Sequence, residues 1–126
     1  MNHNLVSLYD YEASARRTLP TNVWDFIDAG AMDEITARRN RSALDALALR
    51  PRLLRDVEDI DLSTIVLGTQ ISLPVMIAPG GGHKIVHPDG ELATVRGAAK
   101  SRTLIMAATN SNYTMEEIAE ATTTPR

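Results

Sequence analysis

A run of three glycines directly after an apolar segment is the part of this sequence best suited to contact a ligand. The apolar residues extend from Pro74 to Pro79, and Gly80, Gly81 and Gly82 follow them. Glycine lets the backbone adopt unusual conformations and approach a ligand closely. In parallel α/β folds, the loops at the carboxyl ends of the strands build the binding sites. The pattern therefore predicts a ligand-binding loop at Pro79, Gly80, Gly81 and Gly82, with a flexible turn as the alternative.

Two other groups of residues resemble metal sites only in part. His83 and His87 are four positions apart, as in a helical metal-binding pair, but Pro88 and the preceding glycines argue against a helix there. The acidic residues between positions 56 and 61 resemble a calcium loop, but Ile60 stands near the place where such a loop needs its glycine. We therefore predict ordinary loop residues at both places and no metal site.

The charged residues limit the classes of partner. The chain has 13 Lys and Arg residues against 16 Asp and Glu residues, a formal net charge of −3. This mild acidity argues against a nucleic-acid-binding protein, which normally has a basic face. We interpret the arginines between positions 38 and 55 as a solvated or interdomain surface, with binding of an anionic ligand as the alternative.

The composition is that of a globular protein, with 44% hydrophobic and 23% charged residues and no cysteine. Without cysteine, disulfides and thiolate chemistry are excluded. The first residues lack the basic start and apolar run of a secretory signal. The longest apolar stretches are shorter than the roughly 20 residues that span a bilayer. We therefore expect a cytoplasmic protein with no membrane span.

The elements that must position the glycines begin with three helices. Ser7 with an acid three residues later is typical of a helix start. Pro20 opens a second helix, where its missing N–H costs nothing. Asp33-Glu34 begins a third helix, which we expect to extend to about Leu47, because acids are favourable at the positive end of the helix dipole. Residues 56–70 are predicted to be loop and short strands, with a turn at Gly68.

The remainder predicts strand, helix, strand and helix. The segments 74–79 and 104–108 are continuously apolar, which is typical of buried strands in a parallel sheet. A helix is predicted between them, from Asp89 to Ser101. Thr114 with Glu117 forms a capping box that starts a last short helix. Two parallel strands leave open edges and an uncovered apolar surface, so this part of an α/β fold is expected to be incomplete on its own.

Seven stretches, in this order and spacing, resemble the family of FMN-dependent 2-hydroxy acid dehydrogenases and oxidases. Glycolate oxidase, lactate oxidase and mandelate dehydrogenase belong to this family. The resemblance covers about Tyr9 to Arg126, which corresponds to the amino-terminal third of the family's chain. The matching stretches are Leu19-Pro20 with Asp25, Gly30 and Ala31; Asn40-Arg41 with Ala43; Arg50-Pro51-Arg52 with Leu54, Asp56 and Val57; Ile60-Asp61; Leu67-Gly68; Pro74 to Pro79; and His87-Pro88-Asp89-Gly90-Glu91.

The resemblance implies a (β/α)8 barrel of the TIM type preceded by helices, with FMN at the carboxyl-terminal face of the barrel. Such a barrel needs roughly 250 residues. Residues 1–126 would then be the amino-terminal portion of a single FMN-binding domain. In this view, about 1–70 form the helical segment and about 71–126 form the first two β/α units.

The resemblance also assigns site residues. Pro79, Gly80, Gly81 and Gly82 match a loop that lies against the flavin ring, where the family usually has Thr and Ala after the proline. Ala108 matches a serine that contacts the flavin, so this chain lacks that hydroxyl.

Two further positions match the substrate pocket. Phe26 matches a tyrosine whose hydroxyl binds the substrate carboxylate, and Asn110 stands where glycolate oxidase has a tryptophan. Phe26 also lies on the apolar face that the second helix forms with Val23, Ile27 and Gly30, so core packing is the alternative for it.

The activity implied is oxidation of a small 2-hydroxy acid to a 2-oxo acid, with two electrons passing to FMN. In the family, the histidine base, the arginines that bind the substrate carboxylate and the lysine beside the flavin all follow the part that this chain matches. No catalytic residue is therefore predicted within residues 1–126. We expect activity only with a complementary chain or segment that carries the rest of the barrel, in an oligomer. The alternative is a catalytically inactive barrel remnant that serves as an interaction or scaffold protein.

Overall fold

The computed structural model describes residues 5–122, and the chain forms two compact units, residues 1–55 and 56–126. The boundary between the units lies between Arg55 and Asp56. The last helix before this boundary ends at Asp45, and a β-hairpin occupies part of the stretch between residues 56 and 71.

The first unit contains three helices, α1 (Leu8–Thr18), α2 (Thr21–Asp28) and α3 (Ile35–Asp45). Their starts confirm most of the sequence predictions. The Ser7 side chain and the Asp10 carboxylate cap α1 reciprocally, so that backbone N–H groups at the helix start have partners. Pro20 precedes the first helical residue of α2 with a φ of −57°, a value that its ring favours.

The start of α3 differs from the prediction in detail. Glu34 precedes the helix in a left-handed conformation, with a φ of 57°, and no acidic residue lies in the first turn. Its carboxylate accepts a hydrogen bond of 3.1 Å from the backbone N–H of Gly30 instead. The acid therefore closes the turn between α2 and α3 and does not cap α3.

The second unit begins with an antiparallel hairpin of β1 (Thr64–Val66) and β2 (Thr69–Ile71). Leu67 and Gly68 connect the strands with φ values of 49° and 81°. Positive φ at both central residues is the requirement of a type I′ turn, whose twist suits a hairpin. The structure thus confirms the turn predicted at Gly68.

The two predicted buried strands are present as one parallel bridge between Ile77 and Ile105, and not as extended strands. The Ile77 N–H donates to the Leu104 carbonyl at 3.0 Å, and the Met106 N–H donates to the Ile77 carbonyl at 3.1 Å. The parallel pairing is therefore confirmed. Burial was predicted wrongly for much of these segments, since Val75 is 60% exposed and Met106 is 45% exposed. Each segment has a strand neighbour on one side only, so its other side chains and edge stay uncovered.

Two helices complete the second unit, α4 (Gly90–Lys100) and α5 (Met115–Glu120), both close to their predicted positions. The buried apolar side chains of the described residues all belong to this unit: Ile71, Val95, Ala98 and Ile118. The two bridged segments are parallel, so the residues that follow each of them lie at the same edge. The candidate site lies at this edge. No helix among residues 5–122 is long and apolar enough to cross a membrane.

We expect Thr114→Ala to destabilise the second unit by about 1 kcal/mol, because the threonine caps α5. Its hydroxyl accepts from the Glu117 N–H at 3.2 Å, and the Glu117 carboxylate accepts from the Thr114 N–H at 2.8 Å. Urea unfolding followed by circular dichroism measures this change. Thr114→Ser, which keeps the hydroxyl, is the control. Equal unfolding midpoints for Thr114→Ala and the unmodified chain would contradict a capping role.

Candidate functional site

Two loops follow the bridged segments, and the structure brings them together. We call residues 79–82 the glycine loop and residues 108–113 the asparagine loop. Gly81 and Asn110 approach most closely: a Cβ atom at Gly81 would lie 2.1 Å from the Asn110 Oδ1 and 2.7 Å from the Asn110 backbone oxygen. No L-residue with a side chain fits at position 81 unless one of the loops moves. Glycine at position 81 therefore permits the two loops to approach each other, and the approach of the glycine loop to a ligand stays a prediction.

The glycine loop also offers backbone groups to a ligand. The Gly80 N–H donates to the Ala78 carbonyl at 2.8 Å. Gly82 has a φ of 70°, and a Cβ atom at this position would meet nothing within 4 Å. It precedes a short 3₁₀ turn at His83–Ile85. Among the hydrogen bonds of residues 5–122, none uses the N–H of Gly81 or Gly82. The loop thus carries two N–H donors at the edge where the bridged segments end.

The side chain of Glu91, the second residue of α4, forms hydrogen bonds that connect the two loops. Its side chain is only 1% exposed. One carboxylate oxygen, Oε1, accepts from the N–H of His83 and from the N–H of Asn112, each at 3.2 Å. His83 directly follows the glycine loop and Asn112 lies in the asparagine loop. One buried acceptor therefore holds both loops.

The charge state of Glu91 follows from these contacts. Burial raises the pKa of this carboxyl, but hydrogen bonds from the backbone N–H groups of Glu91 itself, His83 and Asn112 outweigh it, so the pKa lies below its ordinary value. Glu91 is therefore ionised at neutral pH. Its contribution to stability is present above the unfolded pKa and is lost as the pH falls through the lower folded pKa.

Side chains of the next residues add further contacts between the same elements. The His83 Nδ1 lies 2.9 Å from the Thr94 hydroxyl, and the Lys84 N–H donates to the Asn112 Oδ1 at 2.9 Å. The Lys84 ammonium lies 3.9 Å from the centre of the Tyr113 ring, a cation–π contact. These contacts make the histidine and the lysine structural parts of the site.

Of the site residues predicted from the sequence, Ala108 and Asn110 lie in the asparagine loop, and the structure places this loop against the glycine loop. Phe26 lies in α2, in the first unit, and its side chain is 77% exposed. Because no described side chain of the first unit is buried, this exposure does not decide between pocket lining and core packing for Phe26. Its assigned contact with substrate stays a prediction.

The groups set aside in the sequence have ordinary local roles. The Asp56 and Asp61 carboxylates accept hydrogen bonds from backbone N–H groups two residues further along the chain, as in turns. Arg38 and Arg41 form ion pairs with acids four residues away on α3 or next to it. Within residues 5–122, no group of three or more His, Cys, Asp or Glu residues is arranged to hold a metal ion.

The roles of Glu91 and Asn112 are not evident from the sequence alone. Glu91 was recognised only as the last residue of a matching stretch, because a glutamate in the first turn of a helix is ordinarily a solvated residue that suits the helix dipole. Its burial arises from the two loops that close over it. The signal available in the sequence was the acid directly after Pro88-Asp89-Gly90, nine positions beyond the last residue of the glycine loop.

Solved structures of related enzymes superpose on most of this chain. Mandelate oxidase has a TM-score of 0.89 and 36% identity, covering 94% of this chain and 34% of its own. A soluble mutant of the membrane-associated (S)-mandelate dehydrogenase from Pseudomonas putida has a TM-score of 0.89 and 33% identity, covering 96% of this chain and 35% of its own. This similarity confirms the predicted fold class, the first part of a TIM barrel with its amino-terminal helices.

Curated relatives agree with the structures. A peroxisomal (S)-2-hydroxy-acid oxidase of Oryza sativa subsp. indica is 41% identical over 122 residues, 96% of this chain and 33% of that protein. A peroxisomal (S)-2-hydroxyacid oxidase of Arabidopsis thaliana is 42% identical over 117 residues, 93% of this chain and 32% of that protein. The chain thus spans about a third of the length of these relatives. The sequence model of the FMN-dependent dehydrogenases matches residues 15–126, and this chain belongs to that family.

Proposed function

We propose that this chain is the amino-terminal, FMN-contacting portion of an enzyme that oxidises a small 2-hydroxy acid to a 2-oxo acid. The observation that carries the proposal is the family match over residues 15–126, with the glycine loop and the asparagine loop joined at one edge. The names of relatives from Oryza sativa and Arabidopsis thaliana specify 2-hydroxy acid oxidases.

The residues of the glycine loop fit a flavin ring. Three consecutive glycines present no side chain toward a planar ligand, and the N–H groups of Gly81 and Gly82 make no hydrogen bond within residues 5–122. Ala108 is small and half-buried at the start of the asparagine loop, so it leaves space beside the ring. FMN, when bound, accepts the two electrons of the oxidation. The chain's own contribution is to bind and orient the ring through Pro79, the glycines and Ala108.

Substrate contacts are assigned to Phe26 and Asn110. Asn110 is exposed and carries an amide that both donates and accepts hydrogen bonds. At the place of a tryptophan it would favour a more polar substrate than glycolate oxidase binds. Phe26 supplies a ring without a hydroxyl, which would bind the substrate carboxylate less strongly than tyrosine.

Exposed apolar side chains support the need for a complementary segment, either in the same polypeptide or in a second chain. In the first unit no described side chain is buried, although its helices carry many apolar residues. In the second unit, Val75, Met76 and Met106 are exposed beside the single parallel bridge. Apolar surface of this extent is normally covered by further structure. Oligomeric assembly and a cytoplasmic location stay predictions, and the two relatives named above are peroxisomal by name.

The proposal is tested by an ultraviolet–visible spectrum of the natively purified protein, together with intact-mass analysis of all co-purifying chains. We expect flavin absorbance with a polypeptide complement of roughly 25 kDa or more, the size that completes a barrel. Anaerobic addition of 2-hydroxy acids should then bleach the flavin, because it takes up two electrons. A complemented barrel that holds no flavin would refute the proposal and would favour the scaffold hypothesis, which no present observation supports.

A further inference from the structure

We propose that Glu91 is a positioning residue whose buried carboxylate fixes the position of the glycine loop relative to the asparagine loop. This inference rests on the proposed function in one respect only, namely that these loops contact the flavin and the substrate. The connection between the loops is a property of the chain itself and can be measured without a ligand.

The geometry favours this role over that of an ordinary helix residue. Glu91 belongs to the first turn of α4, but its Oε1 accepts from His83 and Asn112, which are 8 and 21 residues away in sequence. One oxygen atom thus joins backbone groups of two separate loops. Both N–H groups belong to backbone, so the carboxylate fixes the path of the chain and not merely the direction of a side chain.

The two oxygens of the Glu91 carboxylate have different surroundings. The other oxygen, Oε2, is buried and accepts no hydrogen bond from the residues that the structure describes. A buried carboxylate oxygen that lacks a partner is costly. What an apolar residue cannot supply is the acceptor for His83 and Asn112.

Gly81 makes the position of the loops critical. There is no room for a methyl group between Gly81 and Asn110. A small change in the distance between the two loops therefore alters the contact between these residues. Release of either N–H from Glu91 would let the loops separate. The residues assigned to the flavin and the residue assigned to the substrate would then lose their common geometry.

The test is amide hydrogen exchange, followed by NMR on the flavin-free protein together with its complementary segment. Glu91→Gln keeps the shape but removes the charge, and hydrogen bonds to charged acceptors are stronger than those to neutral ones. We expect exchange at the His83 and Asn112 amides to rise about tenfold. Glu91→Asp keeps the charge but is one methylene shorter, so at least one of the two amides should be released. Glu116→Gln, at an exposed position of α5, is the matched control and should change both rates less than about twofold.

The outcomes separate positioning from general stabilisation. A positioning role is supported when exchange rises at His83 and Asn112 while the amides of Ala98 and Ile118, in the core, keep their rates. A uniform rise over the second unit, or unchanged rates at His83 and Asn112, would overturn the proposal. If Glu91→Gln does not fold, Glu91→Asp decides by the same criteria.

A second readout uses the flavin-bound protein with its complementary segment. Glu91→Gln should weaken flavin binding about tenfold. Local exchange effects in a chain that binds no flavin would support the role of Glu91 and refute the proposed function. If the protein binds flavin and the variants show unaltered exchange, the proposed function is supported and the role of Glu91 is refuted.

Discussion

Replacing Gly81 with alanine is expected to destabilise the second unit by about 1–3 kcal/mol, the usual cost of inserting a methyl group where there is no space. The added Cβ would lie 2.1 Å from Oδ1, 2.4 Å from Cγ and 2.7 Å from the backbone oxygen of Asn110. Rotation of the Asn110 side chain relieves the first two contacts. The third involves backbone, so the loops themselves must move.

The same substitution should also weaken flavin binding, by on the order of tenfold. The glycine loop and the asparagine loop carry the residues assigned to the flavin, and their separation disturbs both. Chemical unfolding of the chain measures the first effect, and flavin titration of the complemented protein measures the second. Because the double variant Gly81→Ala with Asn110→Ala removes the side-chain part of the clash, it should recover part of the lost stability.

Two other glycines serve as controls. At Gly97, in the middle of α4, a Cβ would meet nothing within 4 Å, so Gly97→Ala should stabilise the helix by about 0.5–1 kcal/mol. Gly82 has open space but a φ of 70°, so Gly82→Ala measures backbone strain without a clash. If Gly81→Ala proved as stable as the unmodified chain, the close approach of the two loops would be wrong.

Phe26→Tyr is expected to tighten binding of a 2-hydroxy acid by roughly ten- to a hundredfold. The basis is the resemblance, in which a tyrosine hydroxyl at this position binds the substrate carboxylate. A hydrogen bond to a charged group contributes about 1.5–3 kcal/mol. In the chain by itself the Phe26 side chain is 77% exposed, so a hydroxyl there adds no buried polar group.

The measurement is the dissociation constant of a substrate or unreactive carboxylate analogue in the flavin-bound, complemented protein. Phe26→Leu, which removes the ring and adds no hydroxyl, is the control and should not tighten binding. An equal dissociation constant for Phe26→Tyr and the unmodified protein would mean that residue 26 does not face the substrate. The assignment of Phe26 to the pocket would then be withdrawn, with the family and the fold unaffected.

Much of the local structure could be predicted from the sequence because it depends on neighbouring residues. The capping pairs at Ser7 and Thr114, the proline before α2 and the turn at Gly68 each involve contacts over a few positions. Such contacts form whenever the local sequence supplies the donor, the acceptor or the permitted φ. The order of helices and bridged segments follows from the same kind of signal.

The family could also be inferred from the sequence, because an ordered set of short matches is specific even when each match is weak. The glycine loop was found for a related reason. Three glycines after an apolar run have few structural uses, and approach to a flat ligand is one of them. The identity of the residue facing those glycines within the protein, Asn110, had no such signal.

What only the tertiary structure decided is the connection between distant parts of the chain. Continuous apolar runs predicted buried strands, but burial depends on neighbours on both sides, and segment 74–79 has one. In the sequence, Glu91 resembles a solvated helix residue, but in the folded chain two loops cover it. The reason is physical: local patterns determine backbone conformation, whereas burial and long-range hydrogen bonds depend on which segments of the folded chain meet.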